Sequence, residues 1–149
     1  MRAVLQVVSQ AKVSVNGVVE SQVDKALLVY LGISETDTDA LLEKFGKKVA
    51  NMRIFPDESE KLMYSCVDLG IPIMLIPNFT LISEARKGRR PTFFKAAVPD
   101  IAEELFNKLV YNLGSLAPQV QTGVFGADMT IETTGRGPLN LVIEDHDLF

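Results

Sequence analysis

A single histidine and a single cysteine in 149 residues leave little room for the side chains that most often carry covalent or metal-assisted catalysis. His146 sits in the acidic ending Glu144-Asp145-His146-Asp147 and reads as a solvated tail residue, so a Ser-His-Asp triad lacks its base. Cys66 has no second histidine to activate it; it reads as a small half-buried residue and, being alone, cannot form an internal disulfide. The sequence also lacks a Cys/His cluster with zinc spacing and a Gly-Lys-Ser/Thr phosphate loop, and its acidic ending lacks the spacing of a calcium loop. Neither a metal nor a cofactor is expected. No apolar run approaches the roughly 18 residues needed to cross a bilayer, and no signal-like segment opens the chain. The expected compartment is therefore the cytoplasm, with no membrane partner.

Positive charge is scarce as well. The formal net charge of -4 argues against general coating of nucleic acid, which is driven by phosphate neutralisation. Yet five of the fifteen basic residues fall between Arg86 and Lys95. That cluster reads either as a local phosphate contact or as a solvated loop.

What is present is a patterned apolar chain. With 47% hydrophobic residues it fits one domain, residues 1–149, with a proper core. Arg2 to Val8 is an apolar run of strand length, and Lys12 to Glu20 reads as a hairpin because Asn16-Gly17 suits a type I′ turn. Ala26 to Leu31 looks like a strand buried on both faces. From Asp37 to Met52 the period becomes helical, with Leu41, Leu42, Phe45, Val49 and Met52 on one face and Asp37 or Thr38 as N-cap. Ile71 to Ile76 returns to a continuous apolar strand. Pro99 and Asp100 open a second helix with a buried stripe of Ile101, Leu105, Leu109 and Leu113 and Gly114 as C-cap. Val120 to Phe125, Met129 to Thr133 and Leu139 to Ile143 read as late strands, the last two joined by Thr134-Gly135-Arg136-Gly137. The class is mixed α/β in one domain, with substantial antiparallel pairing.

Several stretches then identify a relationship. Met1-Arg2-Ala3-Val4-Leu5-Gln6, Asn51-Met52-Arg53-Ile54-Phe55, Phe79-Thr80-Leu81, Arg86-Lys87-Gly88-Arg89-Arg90-Pro91, Lys95-Ala96-Ala97, Thr122-Gly123-Val124-Phe125-Gly126-Ala127-Asp128-Met129 and Gly137-Pro138 occur in the order seen in the D-aminoacyl-tRNA deacylases. The chain resembles that family along nearly its whole length. The resemblance implies barrel-like antiparallel and mixed sheet layers packed with two main helices, an obligate homodimer, and hydrolysis of the ester joining a D-amino acid or glycine to the 3′ adenosine of tRNA. An ester is already activated, and the neighbouring ribose 2′-hydroxyl is thought in the family to help activate water. A protein without catalytic histidine then needs mainly to position the ester and supply donors to the oxyanion.

Carried over by the resemblance, Phe79 and Thr80 would face the ester, with the Thr80 hydroxyl as the nearest direct hydrogen-bonding group. Asn78, Ala102, Phe125 and Met129 would contact substrate, the last three around the adenosine; on the residues alone, Phe125 and Met129 read as core packing. Gly137 and Pro138 match a pair that in the family is cis and reaches into the partner subunit's site as the chirality check; in isolation they read as a turn. Arg86, Lys87, Arg89 and Arg90 are candidate contacts to the tRNA acceptor end, or else structural residues of a loop.

Three departures fall near this site. The family's Ser-Gln-Phe-Thr becomes Pro77-Asn78-Phe79-Thr80, which loses a hydroxyl, shortens an amide and removes a backbone donor. Gly-Pro continues with Leu139-Asn140 where the family has Val-Thr, and Val7 replaces an Arg that secures the Gly-Pro loop. Pro at position 77 matches instead the related animal deacylases that remove L-alanine from threonine tRNA. The expectation is D-aminoacyl-tRNA or glycyl-tRNA hydrolysis, with relaxed chirality toward L-alanyl-tRNA or a non-catalytic tRNA-end or nucleotide-binding module as alternatives.

Overall fold

A computed structural model of the chain describes residues 1–86 and 88–149. Its strands are β1 (Arg2–Val15), β2 (Val18–Val23), β3 (Ala26–Gly32), β4 (Phe55–Pro56), β5 (Leu62–Tyr64), β6 (Ile73–Pro77), β7 (Val120–Thr122) and β8 (Thr130–Glu144); its helices are α1 (Asp39–Asn51), α2 (Cys66–Leu69) and α3 (Pro99–Gly114). β1 is the spine. Its first half pairs antiparallel with β3 and its second half with β2, while β8 runs antiparallel along nearly its whole length. The β1–β2 turn has Asn16 at φ 51° and Gly17 at φ 78°, the two positive-φ positions that the Asn-Gly pair supplies at little cost.

From β3 the sheet continues through two parallel pairings, first to β6 and then to β7. The Ser21 hydroxyl of β2 donates to the Thr122 carbonyl of β7 at 2.8 Å, so the far edges of the sheet meet and the barrel-like closure expected from the resemblance is present. Period-two alternation sorts the central strands between two apolar clusters. Leu27, Val29 and Leu31 of β3, with Ile73 and Leu75 of β6, face the cluster covered by α1 and α3. Leu28, Met74 and Ile76 face the inner cluster with Val8, Val13 and Val23. This is why β3 reads as apolar on both faces.

The helices cover the outer cluster. Thr38 caps α1, its hydroxyl accepting from the Leu41 N–H at 3.3 Å, while Asp37 instead pairs with the Met1 ammonium at 2.7 Å. Helix α1 packs on α3 at Gly46, where an added Cβ would stand 3.0 Å from Leu109 Cδ1. The absent side chain lets the helices approach.

Several expectations are corrected. β1 does not stop at Val8; a bulge between Val8 and Gln10 lets the polar pair Ser9-Gln10 pass without ending the strand. Thr130 to Thr133 and Leu139 to Ile143 belong to one strand, β8, with Met129 just before it, so they are not two strands joined by Thr134-Gly135-Arg136-Gly137. Ile101 is 55% exposed and does not belong to the α3 stripe, which is Ala102, Leu105, Phe106, Leu109 and Leu113. α3 ends on Ser115 in the right-handed region, so Gly114 is not a left-handed cap. β7 ends at Thr122, which leaves Phe125 in a loop. The β4–β5 hairpin and α2 lie in a stretch for which the sequence reading proposed no element.

Candidate active site

An apolar cavity of about 450 Å³ opens beyond the C-terminal ends of the parallel strands β3 and β6. Leu31 and Ile33 form one wall, Pro77, Asn78 and Phe79 a second, Ala102 of α3 and Phe125 a third. The α3 wall is set by Pro99 in the first turn, whose fixed φ suits a helix start, and by the Ala102 N–H donating to the Val98 carbonyl at 2.9 Å. Phe125 is anchored from behind by Phe106, ring centroids 6.0 Å apart. None of the described residues lining this cavity is ionisable.

The end of β6 shows how the chain accommodates Pro77. The Asn78 N–H donates to the Leu31 carbonyl of β3 at 2.8 Å, whereas the Leu75 carbonyl accepts from the Gly123 N–H on the β7 side at 3.0 Å. Alternation along the strand turns the amide position of residue 77 toward β7, and that pairing ends at Leu75 with Thr122. Proline supplies no donor there, so the ladder with β7 stops, and its Cδ packs against Gly123, where an added Cβ would stand 3.3 Å away.

Immediately after Asn78 the chain makes a 3-10 turn, Phe79–Leu81. Its first bonds are Leu81 N–H to Asn78 carbonyl at 3.3 Å and Ile82 N–H to Phe79 carbonyl at 2.9 Å. The preceding N–H groups, of Phe79 and Thr80, find no backbone acceptor among the described residues, as the opening of such a turn dictates. Phe79 is 58% exposed and meets Phe93 edge to face at 5.2 Å. The Thr80 hydroxyl donates to Asn78 Oδ1.

The structure thus brings together Asn78, Phe79, Thr80, Ala102 and Phe125. Met129 stands behind the wall, packed on the inner cluster, its sulfur accepting from the Val124 N–H at 3.4 Å. Phe93 and Ala97 also line the cavity; Ala97 belongs to the matched stretch Lys95-Ala96-Ala97 without a site role having been assigned to it, whereas Phe93 lies in a loop with no period to read, and the aromatic pair Phe93-Phe94 beside Lys95 is the available signal. Arg86, Arg89 and Arg90 are exposed on a loop closed by reciprocal backbone bonds between Glu84 and Thr92 at 2.9 and 3.0 Å. Lys87 lies outside the described residues. Lys95 donates to Glu84, whose carboxyl it holds below the usual range. Arg86, Lys95 and Arg2 border a polar cavity of about 470 Å³ on this side.

Gly137 and Pro138 are elsewhere. Between the pairs Gln6–Asn140 and Val8–Gly135, the one residue Val7 of β1 faces the segment from Arg136 to Leu139, which loops out of the ladder. The Gly137–Pro138 bond is cis, both residues are exposed, and they border a separate groove with Val7, Lys25 and Leu62. Asn140 is exposed on β8.

The rare side chains stay outside this chemistry. Cys66 is fully buried in α2, and burial pushes its thiol up to about 12. Because the thiolate is the reactive species, a thiol-specific disulfide reagent is expected to leave the native protein unlabelled at pH 8. Complete labelling should follow in guanidinium chloride, read by absorbance, and rapid native labelling would contradict the placement of Cys66. The His146 side chain is 70% exposed, 3.6 Å from carboxylate oxygens of Glu144 and Asp147. Among the described residues, no group of three His, Cys, Asp or Glu could hold a metal, and no helix is long and apolar enough to cross a membrane.

This nearly closed barrel with a cavity at its parallel strand ends is a known fold class. It is shared with the solved structure of the c-Myc DNA unwinding element binding protein, 35% identical, with a TM-score of 0.90 over 97% of this chain and 98% of that one. A structure described as a probable eukaryotic D-amino acid tRNA deacylase, 17% identical with a TM-score of 0.83 over 95% of this chain and 97% of that one, shares the fold. The family model for D-Tyr-tRNA(Tyr) deacylase matches residues 4–144, and the chain belongs to that family. Relatives named D-aminoacyl-tRNA deacylase include those of Kosmotoga olearia, 41% identical over 149 residues and the whole of both chains, and Parabacteroides distasonis, 40% identical over 148 residues and 99% of each.

Proposed function

We propose that this protein hydrolyses the ester linking a D-amino acid, or glycine, to the 3′ adenosine of tRNA, as a proofreading deacylase. The observation that carries the proposal beyond family membership is the 3-10 turn at the cavity mouth, whose Phe79 and Thr80 N–H groups have no backbone acceptor among the described residues. Two fixed donors beside an apolar cavity suit a developing oxyanion, and they need no catalytic side chain. Ala102 and Phe125 would hold the adenosine, with Met129 supporting the Phe125 loop from behind. Asn78 and Thr80 would stand beside the ester. In this reading the substrate's own 2′-hydroxyl helps activate the attacking water. Arg86, Lys87, Arg89 and Arg90 would flank the acceptor strand, contributing position rather than sequence readout.

Gly137 and Pro138 do not stand beside Phe79 in their own chain, yet their loop projects from the sheet. In this proposal they enter the site of a second copy in a homodimer, where the close carbonyls exclude an L side chain. Light scattering is expected to report twice the 16.4 kDa chain mass.

The decisive experiment is incubation of purified protein with D-tyrosyl-, glycyl- and L-alanyl-tRNA while ester loss is followed. D-tyrosyl and glycyl esters are expected to disappear and the L-alanyl ester to persist. Equal and negligible loss of all three would overturn the proposal. Loss of L-alanyl ester at the D-tyrosyl rate would favour the relaxed-chirality reading that Pro77 and Asn78 raise.

A further inference from the structure

We infer that Asn78 is a positioning residue for this reaction: by taking the Thr80 hydroxyl proton on its Oδ1, it leaves that hydroxyl to act as an acceptor for a donor carried by the substrate beside the ester. The inference rests on the deacylase reading and adds to it the polarity of one contact. A threonine hydroxyl has one proton and two lone pairs. Once the proton is committed to Asn78, only lone pairs remain for a ligand.

The pair is well placed to impose this choice. Both ends of the Asn78 backbone are tied, its N–H to Leu31 at 2.8 Å and its carbonyl to the Leu81 N–H at 3.3 Å, so the side chain projects from a fixed base. Asparagine is short enough to bond a neighbour two residues along, a local bond that a side chain longer by one methylene does not make in the same way. Thr80 is β-branched and stiff about χ1, so holding its oxygen selects one orientation of the side chain. Asn78 lines the cavity and Thr80 follows Phe79 at its mouth.

The absence of ionisable groups from the cavity lining sharpens the consequence. A donor of the substrate, whether the ribose 2′-hydroxyl or the α-ammonium, meets no carboxylate among the described lining residues, so a neutral oxygen such as that of Thr80, with its lone pairs free, can accept from it at the mouth. The shared chemistry is an O–H or N–H donor adjacent to the ester carbonyl. The departure at position 78 then has a structural role: the shortened amide orients the neighbouring hydroxyl.

A double-mutant cycle on D-tyrosyl-tRNA hydrolysis tests this. Asn78→Ala is expected to lower kcat by about 10-fold with KM nearly unchanged, the loss of one oriented hydrogen bond. In a Thr80→Val background the same change should have no further effect. Asn78→Asp, which can still accept the Thr80 proton, should keep a single Thr80 rotamer, while its negative charge beside the developing oxyanion lowers the rate. Non-hydrolysable amide-linked 3′-aminoacyl adenosine analogues, lacking either the 2′-hydroxyl or the α-amino group, identify the donor: the deletion that weakens binding to wild type but not to Asn78→Ala names it. Independently of turnover, three-bond couplings to the Thr80 methyl carbon should report one χ1 rotamer in wild type and averaging in Asn78→Ala. Multiplicative effects in the cycle, or unchanged couplings and rate in Asn78→Ala, would overturn the inference. A wild type that hydrolyses no ester would instead overturn the deacylase reading, and the couplings and analogue binding would still judge the Asn78-Thr80 pair.

Discussion

Ala102→Phe is expected to lower kcat/KM for D-tyrosyl-tRNA by roughly 100-fold or more, because in the proposed binding mode it fills the space of the terminal adenosine and displaces the ester from the 3-10 turn. Ala102 lines the cavity from the first turn of α3 and is itself only 8% exposed. The cavity has about 450 Å³ of space, so a benzyl group directed into it is accommodated without expanding the core. Folding stability should therefore change by less than the roughly 1–3 kcal/mol typical of overpacking a filled site. Ala102→Ser, nearly isosteric, should retain most activity. The informative pair of measurements is single-turnover hydrolysis and binding of a non-hydrolysable 3′-aminoacyl adenosine analogue. Wild-type binding by a correctly folded Ala102→Phe protein would show that the adenosine does not enter between α3 and Phe125.

Phe45→Ala is expected to carry the largest cost in stability, about 3–5 kcal/mol. Phe45 is completely buried on α1 in the cluster that joins both long helices to the sheet. Its removal leaves a void that α1 cannot close by moving inward, since Gly46 already brings it against Leu109. Against a typical total of roughly 5–15 kcal/mol the loss is large. For a domain of this size it corresponds to a fall in Tm of roughly 6–20 °C. Urea unfolding with an unchanged m-value would attribute the shift to the native core rather than to the unfolded chain. Ile101→Ala provides the contrast: its 55% exposure predicts a change within about 0.5 kcal/mol, as for other exposed positions. A large effect at Ile101 would mean that α3 is rotated from the orientation described here.

Much of the fold can be read locally, and particular residues show why. Asn16-Gly17 suffices for its turn because the positive-φ requirement is met within two residues. The Thr38 cap, the period-two burial of β3 and the apolar face of α1 are likewise properties of a few adjacent positions. The failures occur where distant segments choose between local options. Along α3 both Ile101 and Ala102 suit a stripe with Leu105 and Leu109, and packing against α1 and the sheet selects Ala102. Ser9-Gln10 looks like the end of a strand, but β8 pairs on either side of it and a bulge absorbs the irregularity. Thr134 to Gly137 looks like a connection between two strands, yet the flanking segments both pair with β1 as parts of β8.

The candidate site divides in the same way. Phe79, Thr80, Gly137 and Pro138 are legible as matched motifs, while Phe93 is not, because a loop has no periodicity and its wall position exists only once it folds against Phe79; Ala97 lies in a matched stretch, but its place in the wall is likewise set by the folded loop. The role of Pro77 also depends on the fold: alone it is a lost donor, and in the sheet its amide position faces beyond the end of β7. The amino-acid sequence by itself determined the mixed α/β pattern, the scarcity of catalytic side chains and the family. Tertiary structure decided which residues wall the cavity, that Thr80 gives its proton to Asn78, and that Gly137-Pro138 loops out on a different surface from Phe79. The physical reason is one of range: turns, caps and periodicity are fixed by neighbours in the chain, whereas strand register and cavity walls are fixed by segments a hundred residues apart, such as Gln6 and Asn140.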